Sequence, residues 1–200
     1  PNEDMRFDLT AMNLFGPPAV KRRTLLKLEL VRSTFEPKKY PEFYFGDSRT
    51  LFEPVKEDLG ETETDDSGKA QFTYKVPGKL GELAGVPKLT GYVYAQVFEA
   101  GGGRTVDARE SVEIYPQSQF IGVRTMPATE SRYPFQLVVI DRDEKAVKDV
   151  PLGVTFYKRE WKTILKKDQS GRLRYVSEYE DKEMETQEVV SKEKPQTVFF

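Results

Sequence analysis

Residues Thr90 to Pro116 read TGYVYAQVFEAGGGRTVDARESVEIYP, and this stretch decides the fold class. Val93, Ala95 and Val97 alternate with polar or aromatic neighbours and share one strand face. Gly101 to Gly103 then free the chain to turn, and Val106, Ala108, Val112 and Ile114 share a face of a second strand. Apolar residues at every second position are what a strand with one buried face requires. A glycine break between two such runs predicts a hairpin.

The same period of two recurs on either side. In Leu26-Lys27-Leu28-Glu29-Leu30 the leucines fall on one face and the charges on the other. Phe72, Tyr74 and Val76 alternate with Gln71, Thr73 and Lys75. After Tyr115-Pro116-Gln117-Ser118-Gln119 the pattern resumes at Phe120 to Arg124, Phe135 to Ile140, Val154 to Tyr157 and Arg172 to Tyr179. Helical spacing is nearly missing. The 14 glycines and 13 prolines punctuate the whole chain rather than one linker, which suits many short strands.

These patterns predict an all-β chain of two tandem immunoglobulin- or fibronectin-like β-sandwich domains, residues 1–117 and 118–200, divided near Gln117. A sandwich takes about 100 residues, so the second domain is expected to be incomplete at its C-terminal strands. Thr197-Val198-Phe199-Phe200 reads as the start of a strand whose hairpin partner lies outside this stretch. An echo supports two related units. Asp65-Asp66-Ser67-Gly68-Lys69 precedes one strand and Asp168-Gln169-Ser170-Gly171-Arg172 another. Asp and Ser cap such a turn while Gly takes a positive φ, and a calcium loop needs more oxygen ligands.

Composition excludes whole classes of chemistry. With no cysteine there are no disulfides, thiolate nucleophiles or thiolate metal sites. With no histidine the commonest general base and the commonest transition-metal ligand are missing. Thirty-one basic and 33 acidic side chains leave a formal charge of −2, too small to gather nucleic acid by net charge. No run is apolar enough to span a membrane, and Pro1-Asn2-Glu3-Asp4 lacks the character of a signal peptide. A chain opening on Pro1 and closing on Phe200 is expected to be excised from something longer.

Several clusters invite a functional reading, and each has a simpler structural one. Glu178, Glu180, Asp181, Glu183, Glu185 and Glu188 could supply a carboxylate pair for glycoside hydrolysis. Their simpler reading is a solvated strand edge or a short helix, countered by Lys182, Lys192 and Lys194. Lys21-Arg22-Arg23 and Lys166-Lys167 read as solvated strand ends. Trp161, the single tryptophan, could stack on a sugar, or else cap a sandwich core or meet an arginine. Tyr40, Phe43, Tyr44, Phe45 and Phe52 could line a ligand surface, or pack in the core or between domains. Gly101-Gly102-Gly103 lacks the strand-to-helix setting of a phosphate loop.

One segment is more specific: Leu14-Phe15-Gly16-Pro17-Pro18-Ala19-Val20-Lys21-Arg22-Arg23, followed by Tyr40-Pro41-Glu42-Phe43-Tyr44-Phe45-Gly46. It resembles the bacterial alpha-2-macroglobulins, in which an apolar-Phe/Tyr-Gly-x-Pro-Ala turn opens a macroglobulin-like domain. Asp66-Ser67-Gly68-Lys69-Ala70, the hairpin from Glu99 to Val106, and Phe120-Ile121-Gly122-Val123-Arg124 follow in the family's order.

The resemblance implies macroglobulin-like sandwiches within a large protease trap of the periplasm or extracellular space, its parent anchored to the membrane in some cases. The partners implied are neighbouring domains of the parent chain and, through the parent, proteases. It implies no enzyme, no cofactor, no metal and no catalytic residue in this stretch. The family's Cys-Gly-Glu-Gln thioester cannot lie here, because there is no cysteine. By composition, Glu178 to Lys194 is the most accessible candidate for a protease-sensitive bait. The alternative function is an extracellular adhesion or carbohydrate-binding module with the same fold.

Overall fold

The computed structural model describes residues 4–47, 49–75, 83, 85–101, 103–129, 132–167 and 171–200. Among them every regular element is a strand. Two compact units divide the chain, Pro1–Phe120 and Ile121–Phe200.

The first unit contains β1 (Met5–Thr10), β2 (Arg23–Ser33), β3 (Tyr44–Phe45), β4 (Val55–Glu63), β5 (Lys69–Tyr74), β6 (Lys88–Phe98) and β7 (Thr105–Ile114). Strands β4, β2, β6 and β7 form an antiparallel sheet in that order, and β1 pairs with β5. The alternation in β2 has a direct consequence. Leu26, Leu28 and Leu30 are buried, whereas Lys27 is exposed. Leu26 packs with Ala70, Phe72, Phe7 and Leu9, and Leu28 and Leu30 pack with Tyr74, Met5 and Val55. Each strand of the β1–β5 pair thus turns its apolar face onto the larger sheet, the sandwich arrangement that period-two patterning requires. Val76, read in sequence as part of the β5 alternation, lies outside the described residues.

The glycine hairpin forms as the sequence predicts, closed by the Glu99 N–H donating to the Arg104 carbonyl at 3.0 Å. Its register places Val97 across from Val106 and Ala95 across from Ala108, so the two apolar sets line one face of the sheet. Burial falls along that face, from Leu89 at 0% exposure to Val106 at 59%. The other face carries Tyr92 and Tyr94, with the Arg109 guanidinium 4.2 Å and 5.3 Å from their ring centroids. At the opposite end of the unit, Phe35 meets Phe45, Tyr115 and Phe120 at centroid distances of 5.5, 5.8 and 4.4 Å.

The second unit contains β8 (Gln119–Thr125, whose first two residues belong to the first unit), β9 (Pro134–Asp141), β10 (Pro151–Lys167), β11 (Leu173–Val190) and β12 (Gln196–Phe199). Strands β12, β9 and β8 lie side by side in that order. Leu137, Val138, Val139 and Ile140 are all buried, the continuous apolar run of a strand covered on both faces. Tyr133, Phe156, Phe200 and Phe135 form a continuous stack, with successive centroids 5.3, 5.3 and 5.6 Å apart.

The strand Val154–Tyr157 expected from sequence is a segment of the much longer β10, and the expected Arg172–Tyr179 falls, from Leu173 onward, within the much longer β11. Strands β10 and β11 pair antiparallel from Pro151↔Val190 to Lys167↔Leu173, with one irregularity between Phe156 and Tyr157. Lys158, Glu160 and Lys162 break the apolar alternation that marks a half-buried strand, yet main-chain pairing needs no buried face to continue. This two-stranded ribbon is largely exposed beyond the irregularity.

The two units share a device that sequence comparison does not reveal. In the first, the Ala19 N–H donates to the Ala11 carbonyl at 3.0 Å around a turn that Asn13 and Pro17 close at 2.8 Å. In the second, the Val147 N–H donates to the Val139 carbonyl at 2.8 Å around a turn that Asp141 and Lys145 close at 2.9 Å. Gly16 at φ 99° and Glu144 at φ 61° occupy matching left-handed positions. Just beyond, Lys21 at φ 50° and Asp149 at φ 64° again match. This match pairs Asn13–Pro17 with Asp141–Lys145. The echo read at Asp168-Gln169-Ser170 lies outside the described residues.

Candidate functional site

The chemistry open to the candidate residues follows from where the strands carry them. The carboxylates of Glu178 to Glu188 lie on β11 and alternate between its faces. Asp181 accepts both Arg159 Nε and Nη2, at 2.7 and 2.8 Å, in a bidentate pair. Glu180 accepts from Lys162 Nζ at 2.8 Å, and Glu178 pairs with Lys166. Glu185 accepts from Gln187 and Glu183 from Thr186.

A glycosidase acid needs a carboxyl held protonated by burial or by a neighbouring negative charge. Here the shifts run the other way. Hydrogen bonds from Lys182 first and Lys158 second hold Glu160 down to about 2, and the hydrogen bond from Lys162 lowers Glu180. Lysines thus hold the Glu160 and Glu180 carboxylates ionised, so neither can supply a proton near neutral pH. The short-helix alternative gives way to strand for Glu178 through Val190, and the bait reading of that stretch loses its warrant. A protease requires a segment it can draw out, and β11 is paired with β10 along its length.

Trp161 is corrected more sharply. It is 63% exposed and caps no core. It stands across from Tyr179, ring centroids 5.1 Å apart and edge-on, and the Arg159 guanidinium lies 3.8 Å from the Tyr179 centroid. The arginine thus lies over Tyr179, the cross-strand neighbour of Trp161. Among the first unit's aromatics, Phe45 is buried, Phe52 packs against the Leu28 and Leu30 cluster, and Tyr40 meets Phe43 edge-on at 5.8 Å. Tyr44 is left 53% exposed, so the five do not converge on one surface.

The Asp65 turn is structural. Asp65 Oδ1 accepts from the Ser67 N–H and Oγ at 2.8 Å each and from the Lys69 N–H at 2.9 Å, which lowers its pKa, with the Lys69 N–H the largest cause. Gly68 supplies φ 75°. In the basic cluster, Arg23 lies 3.7 Å from the Phe98 centroid and 3.6 Å from Glu61, which accounts for it within the sheet. Among the described residues no group of three Asp or Glu could hold a metal ion, and no helix is long and apolar enough to cross a membrane.

What remains distinctive is a buried hydroxyl at the corner of each unit. Thr64 Oγ1 accepts the Arg22 N–H at 2.9 Å and donates to the Ala19 carbonyl at 2.5 Å. Ser191 Oγ accepts the Val150 N–H at 2.9 Å and donates to the Val147 carbonyl at 2.8 Å. Sequence reasoning missed both, because a lone Thr or Ser carries no signal until two separated strands are brought together around it.

Comparison with known proteins accounts for this architecture. Residues 1–116 match the bacterial alpha-2-macroglobulin MG5 domain, and residues 114–200 match bacterial macroglobulin domain 6. An alpha-2-macroglobulin homolog of Yersinia pestis is 25% identical over 182 residues, spanning 88% of this chain and 9% of that protein. An alpha-2-macroglobulin of Pasteurella multocida is 26% identical over 190 residues, spanning 92% and 10%. The chain therefore spans about a tenth of the length of these relatives. In structure it resembles native Escherichia coli alpha-2-macroglobulin, with TM-score 0.68 and 18% identity over 100% of this chain and 13% of that one. The Salmonella protein reacted with methylamine gives 0.66 and 17%, over 100% and 14%. This chain belongs to the bacterial alpha-2-macroglobulin family, from which it carries the fifth and sixth macroglobulin domains.

Proposed function

We propose that these residues are non-catalytic scaffold of a bacterial alpha-2-macroglobulin-like protease trap in the periplasm or outside the cell. The boundary between the two domains falls near Gln117. The carrying observation is the consecutive match to two tandem macroglobulin domains over the whole chain. Support comes from the side-chain chemistry, because lysines hold the Glu160 and Glu180 carboxylates of the ribbon ionised rather than tuning them as acids.

In this reading the domains act as rigid bodies. A protease cuts a segment elsewhere in the parent chain, the sandwiches move relative to their neighbours, and large substrates lose access to the enclosed enzyme. Core packing supplies the needed stiffness, since interiors filled by residues such as Leu28, Leu89 and Ile140 do not deform continuously.

The test uses the full polypeptide that carries this segment, mixed with a serine protease. Hydrolysis of a folded protein substrate should fall steeply while hydrolysis of a small chromogenic peptide persists. Equal rates on the large substrate with and without the polypeptide would end the trap reading.

A further inference from the structure

We propose that a second copy of this chain pairs with it along the outer edge of β7, joining the two four-stranded sheets across a twofold axis. Strand β7 closes the sheet order β4-β2-β6-β7, and among the described residues no strand lies beyond it. Its pairing with β6 runs from Thr105 to Ile114 without an irregularity, and Thr105 to Ser111 are all exposed. Antiparallel pairs alternate between hydrogen-bonded and non-hydrogen-bonded. Because the Glu99 N–H donates to the Arg104 carbonyl, Val106, Ala108 and Glu110 direct their main-chain groups to β6. Thr105, Asp107, Arg109 and Ser111 therefore direct theirs outward, an open row of donors and acceptors. The opposite edge of the same sheet is blunted. There Leu59 and Gly60 bulge against Leu26 alone, with Gly60 at φ 94°. A bulge interrupts the row that a new strand would read, and β7 has none.

Charge selects the partner and the register. The Arg109 guanidinium lies over Tyr92 and Tyr94 and, among the described residues, has no carboxylate partner. Asp107 accepts the neutral Gln96 amide at 3.1 Å. A twofold axis sets β7 antiparallel to its copy, and side chains on one face meet side chains on that face, so the axis passes through a residue. Axes at Asp107 or Val112, or nearer the ends, pair no more than half of the strand. An axis at Arg109 opposes two guanidiniums. At Glu110 it opposes two carboxylates and sets Asp107 against Glu113. At Ser111 it offers Arg109 to Glu113, which Lys88 and the Tyr115 hydroxyl already hold. At Ala108 it sets each Arg109 across from the Asp107 of the other copy and Thr105 across from Ser111. It also brings alanine, the smallest side chain of the strand, against itself. That alanine pair is non-hydrogen-bonded, where Cα atoms come within about 4.5 Å. Asp107 and Arg109 then exchange main-chain bonds as well as charge, and it is the copy's own sequence that supplies the complement.

In sedimentation equilibrium the 200-residue chain should pass from monomer to dimer as its concentration rises, with no larger species. Asp107→Arg alone, or Arg109→Asp alone, sets like charges opposite each other and should raise the dissociation constant at least about tenfold. Asp107→Arg combined with Arg109→Asp puts opposite charges back in register and should restore the dimer. The chain has no cysteine, so a single introduced thiol reads the register. Oxidised Ala108→Cys should run as a covalent dimer, whereas Glu110→Cys, which faces Val106 of the other copy, should not. All four positions are exposed, and an unchanged strand spectrum in circular dichroism establishes that each variant folds. A chain that stays monomeric at every concentration overturns the proposal, as does a dimer indifferent to both single reversals. A combined variant as weak as the single ones, or cross-linking at Glu110 as efficient as at Ala108, also overturns it.

Discussion

Thr64 and Ser191 hold the same corner in the two units: each buried hydroxyl accepts one main-chain N–H and donates to a carbonyl three residues before it. Main-chain bonds repeat the match. Lys21 and Asp149 donate to the carbonyls of Thr64 and Ser191, each at 3.0 Å, and the Thr64 and Ser191 N–H groups return bonds to Arg22 and Val150.

Thr64→Val keeps the shape and removes the hydroxyl, leaving the Arg22 N–H and the Ala19 carbonyl without that partner in a site 2% exposed. Unsatisfied buried groups cost about 1–3 kcal/mol each. The urea midpoint of the first unit should fall accordingly. Ser191→Ala should do the same for the second unit, read by hydrogen exchange at Val150. An unchanged midpoint in either case removes the corner from the account of stability.

Gly68 and Gly16 separate two effects of glycine. Gly68 sits at φ 75°, and a Cβ there would lie 2.4 Å from the Ala11 carbonyl oxygen. Gly16 sits at φ 99° with nothing within 4 Å. Gly16→Ala should cost only the left-handed conformation, about 1–2 kcal/mol. Gly68→Ala should cost clearly more, because backbone must move as well. Similar thermal midpoints for the two variants would contradict this ordering.

Phe35 is the hub of the aromatic contacts with Phe45, Tyr115 and Phe120 and is 8% exposed. Phe35→Ala should destabilise the first unit by about 3–5 kcal/mol. Loss of near-ultraviolet dichroism ahead of the strand signal is the accompanying sign. A change below about 1 kcal/mol would show that the cluster is not packed as described.

The ladder on the ribbon sets a pH dependence. Hydrogen bonds from Lys182 and then Lys158 depress Glu160 from its ordinary 4.5 to about 2. A depressed carboxylate contributes stability that is present above pH 4.5 and lost as pH falls through about 2. Carboxyl chemical shifts of Glu160 should therefore titrate near 2, and Lys182→Met should move the midpoint upward. A midpoint at the ordinary value would mean that the lysines do not engage it.

The amino-acid sequence by itself determined the class of the fold and much of the first core. Alternation is a local property, so Leu26, Leu28 and Leu30 declared their buried face without knowledge of what covers them. The hairpin at Gly101 was equally local, since turn chemistry and flanking strands are contiguous. What only the tertiary structure decided depends on distant segments meeting. The corner repeat is carried by backbone bonds and two hydroxyls, and a residue such as Glu144 stands where Gly16 does, so side-chain identity hides it. Trp161, Leu165 and Tyr175 share one exposed face, because period two fixes which side chains point together, not whether a second layer arrives to cover them. On the outer ribbon none of the described residues supplies that layer, and solvent faces it instead.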